Sequence, residues 1–291
     1  MPIRSLLAGL GLLLSPPPPA LAQRALLIQT DFGLAEGSIA EMKGVAFAVD
    51  RGLRIFDLTH LIPPYDVWEA AVRLQQTAPY WPSGTVFVSI VDPGVGTDRR
   101  AVVVRSRSGH FFVGPDNGLF SLILADHPEA EVRQLTNAAL FRANVSSTFH
   151  GRDIFGPVGG ALARGTAFAE VGPTIEDAFR FEFPMPKSLD DGGIEGQVIY
   201  IDTYGNLVST IGGSQWQTFV HGANGDLTEM VAEVGRVVVP VVTTFGDVPD
   251  DEACAYLGST GRIEVAVNQG SAAKRFEASI GTPVKLKRLS S

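Results

Sequence analysis

The segment RALLIQTDFGLAEGSIAEMKGVAFAVD, residues 24–50, decides the fold. It opens with an apolar run, passes through a polar turn, and continues with apolar residues at helical spacing (Ile39, Met42, Val45, Ala46 and Val49). A buried strand that leads through a turn into a helix with one apolar face is the first half of a βαβ unit. The segment therefore predicts a mainly parallel sheet covered by helices.

The same alternation continues to about Gly165. The segments RIFDLTH (54–60), TVFVSIV (85–91) and AVVVRSRSG (101–109) are predicted strands, and DVWEAAVRLQQTAPYW (66–81) is a predicted helix. Strands that alternate with helices indicate an α/β domain with helices on both faces of the sheet. We assign this domain to residues 24–180 and expect functional side chains just past the strand ends.

The residue pattern changes after residue 180. Residues 181–193 are rich in Pro, Asp and Gly and are predicted to be a linker. Short strands separated by turn residues follow, in IEGQVIYIDTYGNLVSTI (194–211), RVVVPVVTTF (236–245), GRIEVAVNQ (261–269) and TPVKLKRL (282–289). Residues 194–291 are therefore predicted to form a small all-β domain.

The composition is that of a folded, acidic protein. Of 291 residues, 45% are hydrophobic, and 23 basic against 31 acidic residues give a net charge of −8. A negative surface argues against nucleic acid or an anionic membrane as a partner. Cys254 is the single cysteine, which excludes an internal disulfide, and the five histidines show no metal-ligand spacing. We expect neither a metal nor a cofactor.

Residues 1–22 are predicted to be a signal peptide. Arg4 supplies a basic start, Leu6 to Leu14 an apolar stretch, and Ala20 to Ala22 a small-residue cleavage site. The apolar stretch is far shorter than the roughly 20 residues that span a membrane, and four successive prolines follow it. Cleavage would leave 22 basic and 31 acidic residues, a net charge of −9. We expect an exported, periplasmic protein with no membrane segment.

Charged side chains follow two predicted strands. Asp31 ends the first strand in QTDFG, and Asp92 ends a later one in VDPGVGTDRR, with Arg99 seven residues further on. A carboxylate at a strand end can bind a vicinal diol such as ribose, and glycines let the backbone approach a ligand. Taken alone, each motif favours an ordinary turn or helix cap over a binding site.

Three further motifs are ambiguous by themselves. His150 stands at the start of FHGRDIFGPVGGALARG (149–165), where it could handle a proton or cap a helix. GPDNGLF (114–120) and YIDTYGNLVSTI (200–211) are turn signals that carry Asn117, Asp202 and Asn206.

Taken in order, the motifs resemble a known family. TDFG, MKG, VDPGVGTDRR, GPDNG, FHGRDIFGPVGG, IDTYGNL and AVNQGSAA span about residues 25 to 287. This chain is similar to the S-adenosyl-L-methionine (SAM) hydrolases, also called hydroxide adenosyltransferases, which are related to fluorinase and chlorinase. The resemblance implies a barrel-like C-terminal domain and a homotrimer whose sites lie between one subunit's N-terminal domain and a neighbour's C-terminal domain. It also implies that water displaces methionine from C5′ of SAM, giving adenosine and L-methionine.

The resemblance also implies roles for individual residues. The family's Asp-Arg-His set matches Asp92, Arg99 and His150: Asp92 and His150 hold the water and take its proton, and Arg99 stabilises the developing hydroxide. Either Asp92 or His150 could be the formal base. The substrate-binding residues implied by the resemblance are Asp31, Tyr65, Asn117, Asp202, Asn206, Ser259, Glu264 and Ala272.

This chain departs from the family pattern at two places, and one alternative function stays open. Glu36 and Gly37 stand where many relatives have a second aspartate, and Gly151 stands where the halogenating relatives carry a serine. A residue without a hydroxyl favours water over halide as the nucleophile. The alternative to a hydrolase is an exported nucleoside-binding protein that keeps the fold without catalysis, and the intact Asp92, Arg99 and His150 set favours the enzyme.

Signal cleavage is the first testable expectation. N-terminal sequencing of the protein from its native envelope should read from Gln23, because the small residues before it fit the peptidase site. A mature chain that still begins at Met1 or Pro2 would contradict the assignment.

Overall fold

The computed structural model describes residues 24–221 and 225–289. The predicted signal peptide, residues 1–22, lies outside the described residues. The chain divides into two compact units between Phe179 and Arg180. Among the described residues, no helix is both long enough and apolar enough to cross a membrane.

The first unit is built on a mixed sheet. Seven strands form it within the described residues: β1 (Ala25–Thr30), β2 (Arg54–Thr59), β3 (Val86–Ile90), β4 (Ala101–Arg105), β5 (Phe111–Pro115), β6 (Glu131–Gln134) and β7 (Thr174–Ile175). The helices are α1 (Ser38–Val49), α2 (Val67–Thr77), α3 (Ser121–Asp126) and α4 (Gly156–Arg164), with a π-helical turn at Gly151–Phe155. Short 3₁₀ turns lie at Ala78–Tyr80, Ala138–Leu140 and Phe168–Val171.

The strand order is β2-β1-β3-β5-β4-β6-β7. From β2 to β5 all neighbours are parallel, whereas β4, β6 and β7 pair antiparallel. The predicted strand 101–109 is antiparallel because only a short turn joins β4 to β5, too short for a parallel crossover. After β1 the chain turns to one side to form β2 and then to the other to form β3, so the order reverses between β1 and β3. In open α/β sheets this switch point is where ligands bind.

The parallel strands are buried on both faces. Leu26 of β1 packs in one apolar cluster with Met42 of α1 and Val158 of α4. Leu27, the next residue, packs in a second cluster with Leu74 of α2. Successive side chains of a strand point to opposite faces, so helices cover both sides of the sheet. The predicted α/β architecture is confirmed.

The second unit is an antiparallel, barrel-like sheet. Its described strands are β8 (Lys187–Ser188), β9 (Ile194–Ile201), β10 (Leu207–Gly212), β11 (Met230–Val234), β12 (Val237–Pro240), β13 (Ala253–Leu257), β14 (Arg262–Val267) and β15 (Pro283–Arg288). The order is β12-β11-β15-β9-β10-β14-β13, with β8 beside β9. A bridge between Val241 and Ala255 joins the two ends, so the sheet nearly closes. The predicted β domain is confirmed.

Some elements of the second unit were not predicted. The strands β11 and β13 and the helices α5 (Gly213–His221) and α6 (Ala272–Arg275) were missed, as were the 3₁₀ turns at Leu227–Glu229 and Phe245–Asp247. Within the predicted linker, β8 pairs with the start of β9. Strands this short carry too little alternation to be recognised without their sheet partners.

Two glycines test the packing of α4. A Cβ on Gly159 would lie 2.3 Å from Cγ2 of Val88, whereas a Cβ on Gly44, inside α1, would meet no heavy atom within 4 Å. We expect Gly159→Ala to lower the free energy of unfolding by about 1–3 kcal/mol through overpacking. Gly44→Ala is the matched control and should raise it by up to about 1 kcal/mol through helix propensity. Urea unfolding measures both, and equal responses would contradict the close approach of α4 to β3.

Candidate active site

A cavity lies at the switch point of the sheet. Asp31 follows β1 directly, and Asp92 comes two residues after the end of β3. Both carboxylates line a cavity of about 250 Å³, together with Tyr65, Phe149 and His150. The first unit thus brings together four residues that the sequence had singled out separately.

Arg99 links the two catalytic candidates. Its Nε donates to both carboxylate oxygens of Asp92, at 2.9 and 3.0 Å, and its Nη2 also donates to Asp92 Oδ2. The same Nη2 lies 2.9 Å from Nδ1 of His150. The guanidinium packs over the ring of Phe155, with 5.2 Å between Cζ and the ring centroid. One side chain therefore fixes the positions of a carboxylate and an imidazole.

The contact with Arg99 determines the tautomer of His150. A guanidinium only donates hydrogen bonds, so Nδ1 of His150 accepts one and the ring hydrogen sits on Nε2. Burial lowers the pKa of His150 below its ordinary value, and the positive charge of Arg99 lowers it further. His150 is thus a neutral imidazole at neutral pH, with Nε2–H as its remaining donor.

The backbone around His150 excludes the capping role. His150 occupies the N-cap position of the π-helical turn Gly151–Phe155, which runs on into α4, but its side chain makes no capping hydrogen bond. The ring instead bonds to Arg99. π-Helical turns often occur at functional sites because the extra residue re-aims a side chain.

Close backbone packing joins the segment before His150 to the Asp92 turn. Gly96 has φ of +78°, and a Cβ there would lie 2.2 Å from the carbonyl oxygen of Ser147. Only glycine combines this conformation with this contact. The turn that carries Asp92 and the segment that carries His150 are therefore held against each other.

A buried carboxylate anchors the same segment. Asp153 is fully buried and accepts from Arg142 Nη1 at 2.8 Å, Arg152 Nε at 2.7 Å and the backbone N–H of Ser146 at 2.8 Å. Burial alone would raise the pKa of Asp153, but these bonds, led by that from Arg152, lower it to about 2. Asp153 therefore stays ionised and fixes residues 142–153. The sequence analysis missed it, although it lies within the His150 motif.

Asp31 and Tyr65 form the opposite wall. Oδ2 of Asp31 accepts from the backbone N–H of Tyr65 at 2.9 Å. Tyr65 has φ of +69°, uncommon for a residue with a side chain, and its side chain is 73% exposed. An unusual backbone conformation at a cavity is typical of ligand-binding positions.

Asn117 is not among the residues that line this cavity. Its Nδ2 donates to the carbonyl of Val91 at 2.9 Å, and its Oδ1 accepts from Leu119 N–H at 3.3 Å. The side chain thus braces the residue that precedes Asp92.

The other candidates lie together in the second unit. Asp202 accepts from the backbone N–H of Asn206 at 2.8 Å and from its Nδ2 at 2.9 Å. This β9–β10 turn contacts the start of α6, where Ala272 is buried, through a hydrogen bond from Ala273 N–H to Gly205 O at 2.9 Å.

Glu264 and Ser259 lie on the neighbouring strands. Glu264 of β14 stands opposite Val208 of β10, and a Cβ on Gly258 would strike its carboxyl. Ser259 follows Gly258 and is exposed. Burial raises the pKa of Glu264, and the nearby Asp202 carboxylate adds to the shift. In the part of the chain that the structure describes, no group of His, Cys, Asp and Glu is arranged to hold a metal ion.

Comparison with known proteins covers both units. Residues 26–172 match the family model of the SAM hydroxide adenosyltransferase N-terminal domain, and residues 196–285 match that of its C-terminal domain. The chain is similar to the (R)-S-adenosyl-L-methionine hydrolase of Thermus thermophilus, with 39% identity over 90% of this chain and 99% of the relative. The (R)-S-adenosyl-L-methionine hydrolase of Salinispora tropica is 40% identical, over 84% of this chain and 90% of its own length.

A more distant relative and a solved structure also match about nine-tenths of the chain. The fluorinase of Actinoplanes sp. is 25% identical over 91% of this chain and 98% of its own. Among solved structures, an uncharacterized conserved protein from Thermotoga maritima superposes with a TM-score of 0.83 and 32% identity, over 90% of this chain and 100% of that one.

The tautomer of His150 predicts a titration. A second proton would have to bind Nδ1, facing the Arg99 donor, so protonation breaks that bond. The folded pKa is lowered, so the contribution of His150 to the free energy of unfolding is complete above about pH 6.5 and is lost as the pH falls through the folded pKa. NMR titration of the imidazole, assigned by its loss in His150→Asn, should give a midpoint below 6.5. A midpoint at or above 6.5 would contradict the contact with Arg99.

Proposed function

We propose, because the chain belongs to the SAM hydroxide adenosyltransferase family, that it hydrolyses S-adenosyl-L-methionine to adenosine and L-methionine. The observation that carries the proposal is the arrangement of Asp92 and His150 around Arg99, at a cavity on the switch point of the sheet. Three curated hydrolases share 37–40% identity with it over most of their length.

The reaction makes two demands on the protein. Methionine leaves C5′ as a neutral thioether, so the leaving group needs no general acid. The enzyme has to hold one water in line with the C5′–S bond and keep it from taking up other positions around C5′. It also has to accept the proton that this water loses as its oxygen bonds to carbon.

The hydrogen bonds divide these tasks between Asp92 and His150. Since Nε2 of His150 carries a hydrogen, it donates to the oxygen of the water and orients it. The carboxylate of Asp92, which keeps unused lone pairs, takes the proton. Arg99 stabilises the negative charge that develops between them. This assignment makes Asp92 the proton acceptor.

The rest of the cavity suits the nucleoside. Asp31 can accept hydrogen bonds from the ribose hydroxyls, as its position at the end of β1 leads one to expect. The exposed ring of Tyr65 and the ring of Phe149 offer apolar faces to the nucleoside. A protein that only binds nucleosides would not need the chain from Asp92 through Arg99 to His150, so the enzyme is favoured.

Gly151 disfavours a halide as nucleophile. It carries no hydroxyl, and a Cβ there would lie 3.2 Å from Met42 Sδ and 3.3 Å from Cε2 of Phe149. A serine, which the halogenating relatives are expected to place here, would crowd both side chains. Water is therefore the nucleophile.

We infer further that the protein is exported and works as a homotrimer. Export is supported by the layout of residues 1–22. The homotrimer is what the family resemblance implies. A site completed by another subunit is supported by the size of the cavity, because about 250 Å³ is below the roughly 300–1,000 Å³ of sites that enclose a ligand. A neighbouring subunit can supply the remaining contacts, with Asp202 and Asn206 as candidates.

Substitution of His150 tests the mechanism. His150→Ala should lower kcat for adenosine release by about 10²–10⁴, with KM much less affected, because it removes a group that acts on the water. His150→Asn, which lacks a donor at the Nε2 position, should be similarly slow. Normal turnover by both variants, with circular dichroism unchanged, would return His150 to a structural role.

Complementation tests the shared site. His150→Ala and Asp202→Ala should each be inactive alone, but trimers co-assembled from equal amounts should regain about a quarter of the wild-type activity, since a quarter of the neighbouring pairs join two intact halves. Sedimentation of the same samples gives the oligomeric state. A fully active monomer, or no recovery in mixed trimers, would contradict the proposal.

A further inference from the structure

A buried histidine lies behind the cavity and is not among its lining residues. His60, immediately after β2, is 4% exposed. Its Nδ1 lies 2.9 Å from the hydroxyl of Thr30, and its Nε2 lies 2.9 Å from Oδ1 of Asp57. Thr30 is fully buried at the end of β1 and directly precedes Asp31.

The direction of these bonds follows from their partners. The Asp57 carboxylate only accepts, so Nε2 of His60 carries the ring hydrogen and donates it to Asp57. Nδ1 of His60 then accepts from the hydroxyl of Thr30, whose oxygen in turn accepts from the backbone N–H of Phe32 at 3.2 Å. Every polar atom of this buried chain has a partner, as a rigid network requires.

The outer end of the network is anchored on α1. Lys43 pairs with Asp57, with 2.7 Å between Nζ and Oδ2. Burial tends to raise the pKa of Asp57, but the bonds from His60 and Lys43 outweigh it and hold the pKa below its ordinary value. The carboxylate therefore stays charged and keeps the imidazole in one orientation.

The inner end of this network, at Thr30, fixes the wall of the cavity. His60 makes two hydrogen bonds to the turn after β1. Nδ1 of its ring bonds to the Thr30 hydroxyl, and its carbonyl oxygen accepts from the N–H of Gly33 at 2.8 Å. Asp31 and Phe32 lie between these two attachments. Phe32 lines the cavity and packs edge-on against Phe149, with 5.8 Å between ring centroids.

We propose that His60 is a positioning residue that, through the Thr30 hydroxyl, fixes Asp31 and Phe32 in the geometry that binds the nucleoside part of the substrate. It does not touch the reacting atoms. Its loss therefore weakens substrate binding more than it slows the chemistry at Asp92 and His150. The effect on turnover rests on the proposed function, whereas the effect on the turn after β1 does not.

The test compares substitutions of Thr30. Thr30→Val keeps the shape of the side chain and removes the hydroxyl, so we expect KM for S-adenosyl-L-methionine to rise about tenfold with kcat within about threefold of wild type, as the loss of a positioning hydrogen bond would give. Thr30→Ser restores the hydroxyl and should restore KM. Unchanged KM in Thr30→Val, or no rescue by Thr30→Ser, would overturn the proposal.

Thr85→Val is the matched control. Thr85 is nearly as buried as Thr30, and its hydroxyl donates a hydrogen bond to the carbonyl of Pro82 at 2.7 Å, but it stands just before β3 and is not among the residues that line the cavity. Its loss should lower stability without changing KM. A rise in KM equal to that of Thr30→Val would show a general loss of structure and would overturn the proposal.

Two substitutions of His60 give a second comparison if Thr30→Val fails to fold. The amide of Asn lies near the position of Nδ1 and that of Gln near Nε2, so His60→Asn can still accept from Thr30 and His60→Gln cannot. We expect KM to be near wild type for His60→Asn and raised for His60→Gln. The reverse order would overturn the proposal.

Hydrogen exchange separates this proposal from the proposed function. If the wild-type protein releases no adenosine, the hydrolase assignment fails, but the network can still be measured. Thr30→Val, or His60→Gln in its place, should speed amide exchange at Phe32 and Gly33 relative to Thr85→Val. Thr30→Val removes the hydroxyl that accepts from Phe32 N–H. In both variants the side chain of residue 60 no longer holds residue 30, so the turn that carries both amides opens more often. Unchanged exchange at these amides would overturn the positioning role.

Discussion

The guanidinium group of Arg99 is the constraint on which the site depends. It contacts Asp92 and His150, which lie at the ends of separate segments of the chain, and it can only donate. It therefore leaves Asp92 as a hydrogen-bond acceptor and His150 as a neutral donor. In the proposed reaction, a water between them would meet one group that orients it and one that takes its proton, and this pairing of opposite roles follows from a single side chain.

The fold supplies the setting for that contact. The reversal of strand order between β1 and β3 places Asp31 and Asp92 at one edge of the sheet, and glycine at position 96 lets the Asp92 turn rest on the backbone before His150. Asp153 and His60 act behind the cavity, one on each wall. Both are buried and bonded at several atoms, so they add rigidity where the site needs fixed distances.

Part of this arrangement could be predicted from the sequence, and the rest could not. The alternation of strands and helices was enough to predict the α/β unit and to place Asp31 and Asp92 at strand ends, because those features are local. The contact between Arg99 and His150 joins residues 51 apart and has no local signature. His150 could equally have been a helix cap, and only the π-helical turn and the direction of its ring decide between the two roles. His60 looked like the end of a strand, since the Thr30 hydroxyl that gives it a role lies 30 residues away.

The most direct measurement of the central claim follows the oxygen atom. When the protein acts on S-adenosyl-L-methionine in ¹⁸O-labelled water, attack at C5′ must place one solvent oxygen on the 5′ carbon and leave methionine unlabelled. Mass spectrometry of the products should therefore find the label in the 5′-hydroxyl of adenosine. Release of 5′-methylthioadenosine, or adenosine without solvent oxygen at that position, would show that a different bond is broken and would contradict the account.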